Sequence, residues 1–120
     1  MKECSVTAIV TKEQTATYMG SGDLEVLATP CMAALMEHAA MKCAADHLEE
    51  GMTTVGTALS ITHDKASPVG ACIRATARLI EQKGRAFSFE VEAEENGVLI
   101  GKGTHTRFAV DRGRFMAKLS

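Results

Sequence analysis

The sequence predicts an α+β fold in which an antiparallel sheet wraps around one long central helix. Three observations support this prediction: a long apolar helical pattern begins near residue 29, a short β-rich segment precedes it, and four alternating segments joined by short turns follow it. A single apolar helix needs a sheet curled around it to leave water. We therefore expect one domain that spans residues 1–120 and has a modest core.

The helix is predicted from its start signal and its composition. Thr29 suits an N-cap and Pro30 suits the first helical position. The pattern continues to about Glu50 and is expected to end at Gly51, which gives a helix ~30 Å long. It is apolar almost all round, as is typical of a helix wrapped by other structure. The exception is a polar stripe expected to face water, formed by His38, Lys42, Asp46 and Glu49.

The strands are predicted from alternation and turn residues. The strand-like segments are 4–11, 53–63, 71–81, 86–94 and 98–110, with turns at 83–85 and at Asn96-Gly97, a strong hairpin signal. Segment 18–28, which contains Gly20 and Gly22, is predicted to be a loop or flap. Segment 111–120 has no clear pattern.

Composition excludes several classes of protein. The chain is 46% hydrophobic and 23% charged with a net charge of −2, which is ordinary for a globular protein. It has no basic stripe typical of nucleic-acid binding, no apolar run of ~20 residues for a membrane span, and no secretory signal pattern. The four cysteines form no CxxC pair, and Cys43 with His47 gives too few ligands for zinc. We expect a cytoplasmic protein with reduced thiols and no metal site.

Glu37 is the most informative residue because it lies on an apolar side of the predicted helix. A helical wheel at ~100° per residue places it with Ala33, Ala34, Met41, Ala44 and Leu48. A carboxylate on such a face loses its water and needs a partner. It is either a structural group bonded inside the domain or part of a functional site, where perturbed carboxylates concentrate.

Thr29 and His63 each have a structural and a functional interpretation. Thr29 is an N-cap by position, but a hydroxyl at a helix start can also take part in catalysis. His63 ends a predicted strand at a position whose side chain is expected to point to the same face as those of Val55, Leu59 and Ile61. It is either a bonded histidine at the sheet edge or a general base near neutral pH.

The segment GKGTHTR contains His105 and Arg107, which alternate with polar residues and are expected to lie on the same face of the strand as Gly101 and Gly103. One interpretation is a polar outer face of the last strand. The other is an anion contact, because arginine is always charged and glycines let a ligand or backbone approach closely. Gly56, inside another strand-like segment, has the same two interpretations.

Helix geometry limits any site that uses both Thr29 and Glu37. The two residues are eight positions apart, so they lie ~12 Å apart along one straight helix. Such a site needs a substrate that spans them, or residues from a second chain.

Four segments together carry a family resemblance: ATPCMAALMEHAA, TVGTALSITH, SPVG and GKGTHTR. They resemble the fluoroacetyl-CoA thioesterase branch of the hot-dog thioesterase superfamily, over roughly residues 20–118. The resemblance implies the hot-dog fold and hydrolysis of an acyl-CoA thioester without a metal or other cofactor. It also implies a homodimer with active sites at the subunit interface, and leaves open whether dimers pair into tetramers.

The same resemblance assigns residue roles. It implies that Thr29, Glu37 and His63 are catalytic and that Gly56 and Arg107 contact the substrate. His63 would act as general base on water or on Thr29, and Glu37 would position the reacting group or attack the thioester itself. Arg107 would attract the phosphates of CoA, and backbone amides near the helix start would hold the oxyanion.

The segment before Thr29 departs from the family. The fluoroacetyl enzymes have lid aromatics there, where this chain has Gly20 and Asp23, and Pro30 follows Thr29 where that enzyme has glycine. These differences favour a general short-chain acyl-CoA thioesterase with the same catalytic set, and they leave open whether fluoroacetyl-CoA is a substrate. Two alternatives are hydration of an enoyl-CoA, whose Asp and His motif is not found, and a non-catalytic acyl-CoA binding module or sensor.

Overall fold

The sheet wraps one face of a long helix, as predicted. The computed structural model describes residues 2–120. In chain order its elements are β1 (Glu3–Ile9), a 3-10 turn (Lys12–Gln14), α1 (Ala16–Met19), α2 (Thr29–Ala45), β2 (Met52–His63), β3 (Cys72–Lys83), β4 (Ala86–Glu95), β5 (Val98–Asp111) and α3 (Arg112–Ala117). The five strands form one antiparallel sheet in the order β1-β3-β4-β5-β2, so β1 and β2 are its edges.

The core lies between α2 and the concave face of the sheet. α2 contacts all five strands. Small and flexible residues on its inner face let the helix sit close to the sheet, and each fully buried methionine contributes about 1.5–3 kcal/mol. The buried residues of α2 are Met32, Met36, Ala39, Ala40, Cys43 and Ala44. The strands contribute the predicted alternating faces, among them Ile73, Ala75, Ala77, Phe87, Phe89 and Val91.

The helix is not wrapped on all sides within one chain. The side of α2 that carries Glu37 also presents Ala34 and Met41, and both of these residues are exposed. The prediction of burial almost all round therefore does not hold for the single chain. An open apolar strip beside a carboxylate remains on the helix.

The predicted helix end at Glu50 is wrong, because α2 ends at Ala45. Leu48 N–H donates to the Ala45 carbonyl, an i→i−3 bond that tightens the last turn and ends the α-helical ladder. Gly51, with φ +87°, then turns the chain into β2.

A β-bulge interrupts the alternation of β2. Gly56 and Ala58 pair with consecutive residues of β5, so Thr57 is an extra residue. The alternation of side chains between the two faces of the sheet is therefore reversed after the bulge. Counting every second residue predicted that Val55 and His63 point to the same face, but they point to opposite faces. A bulge of this kind leaves no mark in an alternating apolar pattern.

Short elements outside the main pattern were not predicted. Segment 18–28 contains the end of α1 before its loop, and the tail contains α3, which begins after Asp111 caps the Arg114 N–H. The Asn96-Gly97 hairpin turn is confirmed, with φ of 50° and 81°. No helix within residues 2–120 is long and apolar enough to cross a bilayer.

Candidate active site

A hydroxyl–imidazole pair joins the start of α2 to the end of β2. Thr29 Oγ1 lies 2.7 Å from His63 Nδ1. The N-cap of α2 is Ala28, and no side chain caps that helix start. The prediction that Thr29 is an N-cap is therefore wrong: the residue already has helical conformation, and its hydroxyl is directed at the imidazole.

His63 is partly buried and suited to accept a proton. Burial lowers its pKa below the ordinary 6.5, and the nearby Asp64 carboxylate opposes that shift. The other ring nitrogen, Nε2, is buried and has no hydrogen-bond partner among residues 2–120. A depression of about 230 Å³ adjoins the pair, lined by Ala16, Ser21, Val26, Leu27, Asp64, Lys65 and Ala66. The predicted flap thus borders the pair.

A second polar cluster surrounds Glu37 farther along α2. Arg107 Nη1 lies 4.0 Å from Glu37 Oε2, and the arginine is only 7% exposed. A Cβ at Gly56 would lie 2.9 Å from the same carboxylate oxygen and 3.5 Å from Arg107 Nη1. Gly56 therefore leaves the room in which the carboxylate and the guanidinium meet. The Glu37 side chain is still 42% exposed, so the expectation that it loses its water does not hold in the single chain, and Arg107 is its charged neighbour rather than a buried partner.

The Arg107 guanidinium is held by two further residues, His105, which the sequence pattern indicated as a candidate beside Arg107, and Thr54, which it did not. Its Nε donates to Thr54 Oγ1 at 2.7 Å and its Nη2 donates to the Thr54 carbonyl at 2.9 Å. Its Nη1 lies 3.2 Å from His105 Nε2. Burial lowers the pKa of Arg107 and the Glu37 charge opposes that effect.

The burial of His105 and Arg107 excludes the first interpretation of the segment GKGTHTR, a polar outer face of the last strand. Gly101 and Gly103 lie against the backbone of β2, where a Cβ would come within 2.5 Å and 2.0 Å of carbonyl oxygens. Thr54 gave no sequence signal beyond its position two residues before Gly56.

One chain does not unite the five predicted site residues. Thr29 and Glu37 are ~12 Å apart along α2, and Gly56 and His63 are ~23 Å apart along β2. The chain therefore carries two half-sites: Thr29 with His63, and Glu37 with Gly56 and Arg107. Residues 2–120 contain no group of three or more side chains that could hold a metal ion.

Known proteins share this fold and are similar to this chain in sequence. The family of fluoroacetyl-CoA-specific thioesterases, FlK, matches residues 10–113. The fluoroacetyl-CoA thioesterase of Streptantibioticus cattleyicolor is 40% identical over 95 residues, which cover 79% of this chain and 68% of that protein. An FlK mutant solved in complex with acetyl-CoA superposes with a TM-score of 0.92 and 31% identity, covering 98% of this chain and 93% of the other.

A more distant relative shares the architecture. A hypothetical protein of Thermus thermophilus, a member of the thioesterase superfamily, superposes with a TM-score of 0.89 and 28% identity over 98% of this chain and 87% of its own. These similarities confirm the predicted hot-dog fold. The chain belongs to the fluoroacetyl-CoA-specific thioesterase family.

Proposed function

We propose that this protein hydrolyses the thioester of a short or small acyl-CoA to the free acid and CoA, with no cofactor apart from the CoA of the substrate. The 2.7 Å contact between Thr29 and His63 carries the proposal, because it pairs a hydroxyl with a base whose pKa lies below 6.5. Relatives named for fluoroacetyl-CoA and solved with acetyl-CoA support the substrate class.

The reaction needs an oxygen nucleophile and a leaving thiolate. His63 takes a proton from Thr29 or from a water molecule, and the oxygen attacks the thioester carbonyl carbon. The C–S bond then breaks, and the CoA thiolate leaves and takes up a proton. If Thr29 is the nucleophile, water hydrolyses the resulting acyl-enzyme in a second step. Glu37 either positions the attacking water or attacks the carbonyl itself.

The start of α2 offers a site for the oxyanion. Pro30 has no N–H, and the amides of Cys31 and Met32 donate to the Ala28 carbonyl. The Thr29 amide is therefore our candidate donor at this helix start. It lies where the helix dipole also favours negative charge.

We propose a homodimer, because the two half-sites need each other. β2 is an edge strand whose residues 56–60 are exposed, and the Glu37 side of α2 is an open apolar strip. An exposed strand edge is a template for pairing with another chain. If two copies of β2 pair antiparallel about a twofold axis near Leu59 and Ser60, Gly56 of one protomer lies near His63 of its partner, within about one residue because of the bulge at Thr57.

This pairing would complete the site from two chains. The Thr29 and His63 pair of one protomer would face the Glu37 and Arg107 pair of its partner. Arg107 is buried and bonded to Thr54, so we assign it to holding Glu37 rather than to attracting the phosphates of CoA. Gly56 leaves space for the substrate beside the carboxylate.

The flap bears on which acyl group is accepted. The family resemblance implies that Gly20 and Asp23 replace lid aromatics, and small side chains such as Ala16, Ser21 and Ala66 border the depression beside His63. We therefore propose a short-chain acyl-CoA thioesterase whose preferred substrate is not fluoroacetyl-CoA.

The direct test is release of free thiol from a panel of acyl-CoAs, from acetyl to long-chain and aromatic and including fluoroacetyl. We expect turnover to peak at one short acyl length and to disappear in Glu37→Gln and His63→Ala. Binding of acyl-CoA without thiol release would instead indicate a binding module or sensor and would overturn the proposal.

The shared site has its own test in mixed dimers. His63→Ala and Glu37→Gln are each expected to be inactive as pure proteins. When they are co-expressed, a mixed dimer has one site with both defects and one site with none. We expect about one quarter of wild-type activity, since half of the dimers are mixed and each has one intact site. No recovery would place the whole site within one chain. Light scattering on the same samples distinguishes dimer from tetramer.

A further inference from the structure

His105 lies at the centre of the Glu37 half-site, yet the proposed reaction does not use it. It is 2% exposed and has a hydrogen-bond partner at each ring nitrogen. Nδ1 lies 2.7 Å from the Ala58 carbonyl oxygen, and Nε2 lies 3.2 Å from Arg107 Nη1. A buried polar side chain with both groups satisfied has a defined orientation.

These two partners allow one protonation state. A carbonyl oxygen can only accept, so Nδ1 carries the hydrogen and donates it to Ala58. A guanidinium can only donate, so Nε2 must offer its lone pair to Arg107. Burial and then the Arg107 charge lower the pKa of His105, in agreement with a neutral ring, while the Ala58 carbonyl and Glu37 oppose this shift.

The bulge in β2 lies where this arrangement is anchored. Thr57 is the extra residue, and the carbonyl that His105 uses belongs to Ala58 immediately after it. Gly56, immediately before it, is the residue whose missing side chain admits His105 and Glu37: a Cβ there would lie 3.2 Å from His105 Cε1. The same local irregularity thus supplies the acceptor for Nδ1 and the space beside the ring.

We propose that His105 is a positioning residue that acts through Arg107. As the neutral Nδ1–H tautomer it ties the guanidinium to the backbone of β2 at the bulge. Thr54 holds the Nε and Nη2 side of the same group. With three nitrogens fixed, the guanidinium keeps its charge 4.0 Å from Glu37 Oε2, which is an ion-pair distance and too long for a hydrogen bond. The position of the positive charge that attracts the Glu37 carboxylate therefore depends on a histidine that does not contact the substrate. This inference rests on the proposed function of Glu37.

Two substitutions separate the two hydrogen bonds of His105. In His105→Gln the amide oxygen can reach the position of Nε2 and accept from Arg107. In His105→Asn the shorter amide can reach only the Ala58 carbonyl. We expect His105→Gln to keep most of the wild-type kcat and His105→Asn to lose roughly 10- to 100-fold in kcat with a smaller change in KM. His47→Asn, the same change at an exposed histidine outside both half-sites, is expected to change neither.

Two structural readouts accompany the kinetics. In the wild-type protein, ¹⁵N NMR of the imidazole is expected to show the Nδ1–H tautomer at neutral pH, and the Arg107 Nη1–H that faces His105 Nε2 is expected to exchange slowly with water. Slow exchange should survive in His105→Gln and be lost in His105→Asn, while circular dichroism shows both variants folded.

The results that would overturn the role of His105 differ from the results that would overturn the hydrolase activity. A charged ring, an Nε2–H tautomer, or equal kcat in His105→Asn and wild type would overturn the role of His105. If His105→Asn does not fold, the wild-type NMR still decides the tautomer and the Arg107 contact. If no acyl-CoA is turned over, the hydrolase proposal fails, and slow Arg107 exchange still reports whether His105 positions the guanidinium.

Discussion

At the scale of single residues, the sequence located chemically important positions better than it explained them. Glu37 stood out because a charge on an apolar helix face needs a partner, and Arg107 is its charged neighbour. Thr29 stood out for a different reason, as an N-cap, and that interpretation was wrong. Its hydroxyl bonds His63, which is 34 positions away in the chain. A contact across that separation depends on how α2 and β2 dock, and no local pattern encodes it.

The Thr29 and His63 pair gives the first prediction. Neutral His63 is the active form of a general base, and its pKa is lowered by burial, so kcat/KM should be constant at neutral pH and fall at acid pH with an apparent pKa below 6.5. Thr29→Val removes the hydroxyl at nearly constant volume and should lower kcat by about 100-fold or more. Thr29→Ser keeps the hydroxyl and should stay within roughly 10-fold of wild type.

The rates of wild type and both variants are measured by stopped-flow or steady-state thiol release between pH 5 and 9, and thermal melts confirm that the variants are folded. An acid limb above pH 7, or a Thr29→Val enzyme as fast as Thr29→Ser, would contradict the assigned roles.

At the scale of elements, regular patterns were predictable and irregular features were not. The alternating faces of β3 and β4 and the Asn96-Gly97 hairpin followed from local sequence, because burial and turn conformation act over a few residues. The end of α2, the bulge at Thr57 and the short helices α1 and α3 depend on tertiary packing. The bulge matters most, since it changes which side chains of β2 face the site.

Two glycines in the β2–β5 region should respond differently to the same substitution. At Gly103 a Cβ would lie 2.0 Å from the Ser60 carbonyl, which is backbone and cannot move away cheaply. Gly103→Ala should therefore lower the free energy of unfolding by on the order of 3 kcal/mol or more. At Gly56 the nearest atom is the end of the Glu37 side chain, which can rotate. Gly56→Ala should fold, lose most of its kcat and lose much less stability.

Urea unfolding and thiol-release assays on the two variants read stability and activity separately. Gly113→Ala serves as the control, because its Cβ would meet only Asp111 Oδ1 at an ordinary 3.6 Å. A Gly56→Ala protein with full activity would show that the carboxylate does not need this space.

At the scale of the whole molecule, the fold leaves two histidines partly or fully enclosed and neutral. Both His63 and His105 have pKa values lowered from 6.5, chiefly by burial. They lie in different half-sites, but both are tied to β2: His63 is its last residue, and His105 bonds the Ala58 carbonyl. Protonation of either ring would place a charge in a partly or fully buried position, and would therefore destabilise the packing of β2, the strand that we propose as the subunit interface.

This arrangement fixes the sign of the pH dependence of stability. In the unfolded chain both rings titrate near 6.5, and in the folded protein they titrate lower. Between these values the unfolded state binds more protons, so acid favours unfolding. Stability should be level above about pH 7 and decline as the pH falls below 6.5, by at most about 1.4 kcal/mol per pH unit for the enclosed His105 and by less for the more exposed His63.

The contribution of one ring can be isolated with His105→Gln, which keeps an acceptor for Arg107 but does not titrate. Its melting temperature should decline less steeply than that of wild type between pH 7 and 5.5. Above pH 7 the melting temperatures of the two proteins should differ by a constant amount. Melts at a fixed protein concentration make the comparison, because dimer stability depends on concentration. Identical slopes would mean that His105 takes up its proton as readily in the folded protein as in the unfolded chain. The His105 ring would then not be enclosed and hydrogen-bonded at both nitrogens in this half-site.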